Sequence, residues 1–183
     1  FWALIERNIR SFEFLLENGA DPSSIAENRV DKESPATVIE LAVVLEDSNY
    51  LRLLLEHGAD PNTPTHYGKL PIIYSAIMNN RFENLKLLVD AGADMNHRSS
   101  SGDTPMIRAA TISQYDMVYY LLKKGADPAI KNRWGYDLAK ILMKYGTRGL
   151  FLYDPGEAAV LEEYYIKIIN ELKDRDLIEA SWK

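Results

Sequence analysis

The chain has 183 residues, 46% of them apolar and 26% charged, enough for one well-buried core or one short run of stacked repeats. Its formal net charge of -6 argues against nucleic acid, which needs Lys and Arg gathered against phosphates, and leans towards a protein partner carrying a basic patch. There is no cysteine, which excludes disulfides and thiolate metal sites, and no run approaches the roughly 18 apolar residues of a membrane span.

Residues 1–5 (FWALI) already read as helix, with neither an initiating Met nor a basic-then-apolar signal segment. The reading therefore expects the start of a first repeat upstream, removed by processing, truncation or proteolysis, and that piece would carry any address. FEFLLENGAD follows at 12–21, then LRLLLEHGAD at 51–60, LKLLVDAGAD at 85–94 and VYYLLKKGAD at 118–127. The glycines of this line stand at Gly19, Gly58, Gly92 and Gly125, spaced by 39, 34 and 33 residues. Each is expected just past a helix end, where a left-handed backbone suits a residue without Cβ.

In the third copy Phe82, Leu85, Leu88 and Val89 fall on one helical face, and in the fourth Met117, Tyr120 and Leu121 do the same. Ahead of the fourth copy, GDTPMIRAA (102–110) places Thr104 as an N-cap and Pro105 in the first helical turn. The second opens at Thr37 with Val38 in place of Pro, after an insertion at 22–36 that holds the charged stretch 27–33. That insertion is either a partner-contacting finger or a tolerated surface loop. The third copy opens at Leu70 and Pro71 without the Thr, and the reading gives it one extra residue before Arg81. The fifth begins KNRWGYDLA (131–139), with a helix from Asp137 to about Tyr145 ended by Gly146. Residues 147–156 fit no repeat pattern. A long helix is then expected from about Glu157 to Lys173. Its stripe would be Ala159, Leu161, Tyr164, Tyr165, Ile168, Ile169 and Leu172, with Glu162, Glu163, Lys167, Glu171 and Lys173 facing out. The charged tail from Asp174 is expected to fray, with Trp182 packing back.

A period near 33 residues with a Thr-Pro-apolar opening resembles the ankyrin-repeat family over nearly the whole chain. The resemblance implies an all-α solenoid: one domain over 1–183, with units of about 1–24, 25–63, 64–97, 98–130 and 131–146. The cap would be 147–183, because the last repeat otherwise exposes its stacking face. It also implies binding of another protein by a concave face of loop tips and first-helix positions. On this chain those are His66, Tyr67 and Lys69; Arg98, Ser100, Ser101 and Asp103; and Arg133, Trp134 and Tyr136. The helix positions are Ile77, Met78, Asn79, Thr111 and Ile112. Tyr, Trp and Arg are the types enriched at binding hot spots. Trp134 and Tyr136 are read either as binding residues or as local core of the fifth unit, and Tyr67 as a binding residue.

Catalytic patterns are absent from the sequence. His57, His66 and His97 form no i, i+4 pair with an acidic companion. His57 reads as a helix C-terminal residue favoured by the macrodipole. The serines at 99–101 are not in a Gly-x-Ser-x-Gly elbow and read as a flexible fingertip. Glu162 and Glu163 are consecutive on a helix and do not converge on a substrate. The expectation is a non-enzyme with no cofactor and no metal, monomeric when unbound.

Three fragments, at 1–8, 118–122 and 131–139, are similar to small exported bacterial ankyrin proteins, some encoded beside type VI secretion lipase effectors. That resemblance implies an immunity protein that occludes a toxic phospholipase, and a periplasmic setting; without it the setting would be cytoplasmic. A scaffold or host-targeting effector module is the alternative, and an enzyme of unrecognised kind the second.

Overall fold

The computed structural model describes residues 2–26, 36–66, 69–146 and 154–179. The chain packs into two compact units, residues 1–94 and 95–183. The first holds α1 (Trp2–Ile5), α2 (Ile9–Glu17), α3 (Val38–Val43), α4 (Asn49–Glu56), α5 (Ile73–Met78) and α6 (Phe82–Asp90). Consecutive helices pack as the hairpins α1–α2, α3–α4 and α5–α6. Stacking of α2 on α4, α4 on α6 and α3 on α5 then buries the inner faces. A short antiparallel pair, β1 (Ile25–Ala26) with β2 (Ala36–Thr37), closes the base of the first loop. The charged stretch 27–33 lies outside the described residues.

The helix starts follow their side chains. Thr37 and Glu40 form a reciprocal capping box at the start of α3. Counted back from the helix-ending glycine, Pro71 stands where Thr37 and Thr104 stand, 21 residues ahead. The third copy, whose glycine spacing is 34 against 33, therefore carries its extra residue in the loop ahead of Pro71 and not between Pro71 and Arg81. Its proline is displaced by one, and α5 starts at Ile73 with no side-chain cap. Asn84 is the buried polar residue of this unit, 1% exposed. Its amide donates to the carbonyls of Val43 (2.8 Å) and Leu45 (2.9 Å), groups at the end of α3 that lack helical partners.

The second unit holds α7 (Pro105–Thr111), α8 (Tyr115–Lys123), α9 (Leu138–Tyr145) and α10 (Pro155–Asp174). Here α7 packs on α8 and on α9, and α10 covers α8. Thr104 caps α7 through the Ile107 amide, and Asp137 caps α9 through that of Lys140. Asp154 caps α10, which begins two residues before Glu157. The α10 face that packs inwards is narrower than expected. Ile168, Ile169 and Leu172 are buried, whereas Ala159 is exposed. Tyr165 meets Tyr115 edge-on, with ring centroids 5.4 Å apart.

Glu171 does not face out. It accepts from Lys123 of α8 (3.1 Å) and from Arg175 (2.8 Å). Arg175 also donates to the Leu122 carbonyl at 3.3 Å, so the first residues after α10 are bonded to α8 instead of frayed. Trp182 lies outside the described residues.

The Arg175 hydrogen bond, then that of Lys123, holds the Glu171 carboxyl below its ordinary value. A depressed folded-state value contributes stability that is present above the unfolded carboxyl range and lost as pH falls through the folded value. Glu171→Gln is expected to cost about 1 kcal/mol at pH 7, a difference that shrinks towards zero below about pH 4. Urea melts of both proteins across that range check it. Gly92 has φ +93 and nothing within 4 Å of an added Cβ. Gly92→Ala should therefore cost about 1–2 kcal/mol from backbone strain alone, read as a lower urea midpoint with unchanged slope.

Candidate protein-binding surface at the Trp134 loop

The loop between α8 and α9 is built around Asn132, which is 7% exposed. Its Oδ1 accepts from the backbone amides of Trp134 and Tyr136, both at 3.0 Å. Its Nδ2 donates to Asp103 Oδ1 at 2.8 Å. The Asn132 amide donates to the Tyr136 carbonyl (2.9 Å) and the Gly135 amide to the Asn132 carbonyl (3.0 Å). One side chain thus satisfies two loop donors and one buried carboxylate oxygen, and residues 132–136 close into a tight turn.

The neighbouring loop is wired to this turn. Asp103 Oδ2 accepts from the Ser101 hydroxyl at 2.7 Å, and Ser101 and Ser99 exchange a bond at 2.9 Å. The Ser101 carbonyl accepts from the Arg133 amide at 3.0 Å. Gly102 sits at φ +79, and a Cβ there would meet the Arg133 nitrogen at 3.0 Å, so the two loops touch where only glycine fits. The serines form part of a bonded loop, which corrects the flexible-fingertip expectation. Asp103 is 8% exposed and serves this framework, so it is withdrawn as a direct contact.

On this framework Trp134 is 65% exposed. That settles the choice between local core and open surface for the indole, while Tyr136 is half-buried. Lys144 of α9 lies 4.7 Å from the Tyr136 ring centroid and 5.2 Å from that of Tyr145. Hydrogen bonding to Tyr145, then to Tyr136, raises its pKa above the usual lysine value. A raised value keeps its stabilising effect complete below the ordinary lysine range, so Lys144 stays charged throughout the neutral range. Lys144 lines a cleft of about 240 Å³ together with Asp103, Thr111, Asn132, Trp134 and Tyr145.

The other expected contacts divide between the two units. In the second unit Arg98, Ser100, Thr111 and Arg133 are exposed, and Ile112 is 37% exposed. The Thr111 hydroxyl donates to the Ile107 carbonyl at 2.8 Å. In the first unit His66, Lys69 and Asn79 are exposed and Met78 is 63% exposed. The His66 amide donates to Glu40 at 2.5 Å. Ile77 is fully buried, which removes it from the surface: it faces the core of α5 while Met78 turns outward. Tyr67 lies outside the described residues. Sequence reasoning missed Lys140, Lys144 and Tyr145. Their signal was present, since Lys140 and Lys144 are spaced by four on one face of α9, just after Tyr136.

Among the described residues no three His, Asp or Glu side chains gather as a metal site, and no helix is long and apolar enough to cross a membrane. His57 Nδ1 lies 2.8 Å from the Leu53 carbonyl at the end of α4. A family model described as ankyrin repeats, in three copies, matches residues 1–99 and 39–132. No curated protein matches the chain.

Asn132→Ala removes the acceptor for two amides and the amide donor that Asp103 Oδ1 takes. It should cost about 2–3 kcal/mol in a urea melt and shift Trp134 emission, whereas unchanged stability would show that the loop closes without this side chain.

Proposed function

The chain belongs to the ankyrin-repeat family of protein-binding, generally non-enzymatic modules, and we propose that it is an immunity protein occluding a secreted bacterial toxin of the lipase type. The observation that carries the reading is Trp134, exposed on a turn whose backbone amides are already bonded. An inhibitor must hold an enzyme tightly without chemistry of its own. Affinity of that kind comes from large side chains on a framework that loses little freedom on binding. Arg98, Ser100, Thr111, Arg133 and Tyr136 would join Trp134 in the second unit; His66, Lys69 and Met78 are candidate contacts of the first unit by itself. The lipase as target, and the periplasm as setting, rest on the likeness of segments 1–8, 118–122 and 131–139 to exported immunity proteins.

Affinity capture from the source organism, with intact protein and Trp134→Ala in parallel, tests this. The expected result is one captured protein that hydrolyses phospholipid vesicles when released and stops when the intact chain is added back. Trp134→Ala should weaken capture by about 2 kcal/mol, a loss of roughly thirtyfold. A captured protein without lipase activity, or full hydrolysis in the complex, would contradict the proposal.

A further inference from the structure

We infer that the partner presents an acidic segment to the Trp134 loop, its carboxylates meeting Arg98, Lys131, Arg133, Lys140 and Lys144; this rests on the reading that the chain binds a protein. The whole chain is acidic, but its charge is unevenly placed. Residues 95–146 hold eight Lys and Arg against four Asp and Glu, and the rest of the chain holds thirteen against twenty-three.

Contacts place these cations on or against one turn. Lys131 and Arg133 belong to it. Arg98 donates to the Lys131 carbonyl at 2.9 Å, and Lys140 to the Gly135 carbonyl at 3.2 Å. Lys144 donates to the Tyr136 hydroxyl at 3.5 Å. Among the described residues none of the five lies within ion-pair distance of a carboxylate, whereas Arg108, Lys123 and Arg175 do. The two nearby carboxylates are already engaged. Asp103 bonds Asn132, Ser101 and Arg108, and Asp137 caps α9.

Such a cluster repels itself and gains most from a partner of opposite sign. The tyrosine faces hold the Lys144 ammonium in place without neutralising it. The cleft beside it has room for a carboxylate side chain, and Trp134 offers apolar area for the residue next to that carboxylate. The observations favour protein over nucleic acid. A polyphosphate would extend past five cations and meet a chain whose net charge is -6, while an acidic segment ends where the cations end. The local charge here is opposite in sign to the net charge from which a partner with a basic patch was expected.

The test uses fluorescein-labelled deca-glutamate as probe, with deca-lysine and a short single-stranded DNA as comparisons, read by anisotropy. In about 50 mM salt the intact protein should bind deca-glutamate, in preference to both others, with affinity falling as salt rises. Lys140→Gln with Lys144→Gln should weaken it at least about fivefold, while Arg52→Gln in the first unit leaves it unchanged, both variants folding as judged by circular dichroism. No binding to deca-glutamate, tighter binding to DNA or deca-lysine, or equal binding by the double variant overturns the inference. The capture assay separates this from the inhibitor reading. Capture of a lipase with no deca-glutamate binding sinks only the acidic partner, and deca-glutamate binding with a captured non-lipase sinks only the inhibitor.

Discussion

The hydrogen bond between Asn132 and Asp103 is the interaction on which the candidate surface depends. Both side chains are buried, and they lie 29 residues apart in sequence. A carboxylate accepts only, so it fixes which end of the Asn132 amide faces it and leaves the oxygen to accept from the Trp134 and Tyr136 amides. The same carboxylate draws in Ser101, whose carbonyl takes the Arg133 amide. Two loops that would otherwise be independent become one hydrogen-bonded body, with glycine where their backbones touch. Removing Asn132 takes the acceptor from two loop amides at once, which costs more than either bond itself contributes.

That framework separates building from binding. Asn132, Asp103 and Gly102 are hidden, while Arg133 and Trp134, adjacent in sequence to the anchor, are presented outwards. A side chain on a closed turn has less freedom to lose when a partner arrives, so more of its contact area appears as affinity. Helix α9 adds a second tier. Its Lys140 and Lys144 reach back to the turn, and two tyrosine rings bracket one ammonium. Helix α10 covers α8 through Ile168, Ile169 and Leu172, reinforced by Glu171 between Lys123 and Arg175. The candidate surface and the core-covering side of this unit are thus built from different helices.

Much of the fold was legible because it is written in local rules. A glycine past each second helix, Thr104 before Pro105 and Asp137 before Leu138 announce helix ends through backbone geometry that depends on a few neighbouring residues. Contacts between distant residues were not legible. Asp103 reads as a loop-tip carboxylate until Asn132 of the following repeat meets it. Ser99 and Ser101 read as a mobile tip until that carboxylate gathers them. Ile77 and Met78 are neighbours with opposite fates, because one step of about 100° on a helix turns a side chain from core to solvent. Pro71 misled by one position, since a proline motif matches residue type while the structure counts from the helix end. Net charge is a sum, and it conceals the cations gathered around Trp134. Tyr67 and the stretch 27–33 lie outside the described residues and bear on neither reading.

The hydrogen bonds of Asn132 close the turn at 131–136 in advance, and we propose that the partner sits there. Amide hydrogen exchange, measured on the free chain and again with the captured partner, addresses both halves at once. Slow exchange is expected at Trp134 and Tyr136 in the free protein, whose amides already donate to Asn132. Added protection at 131–136 and 140–145 is expected in the complex. Fast exchange of those two amides in the free chain would show that the turn is open before binding, and protection confined to other segments would place the partner elsewhere.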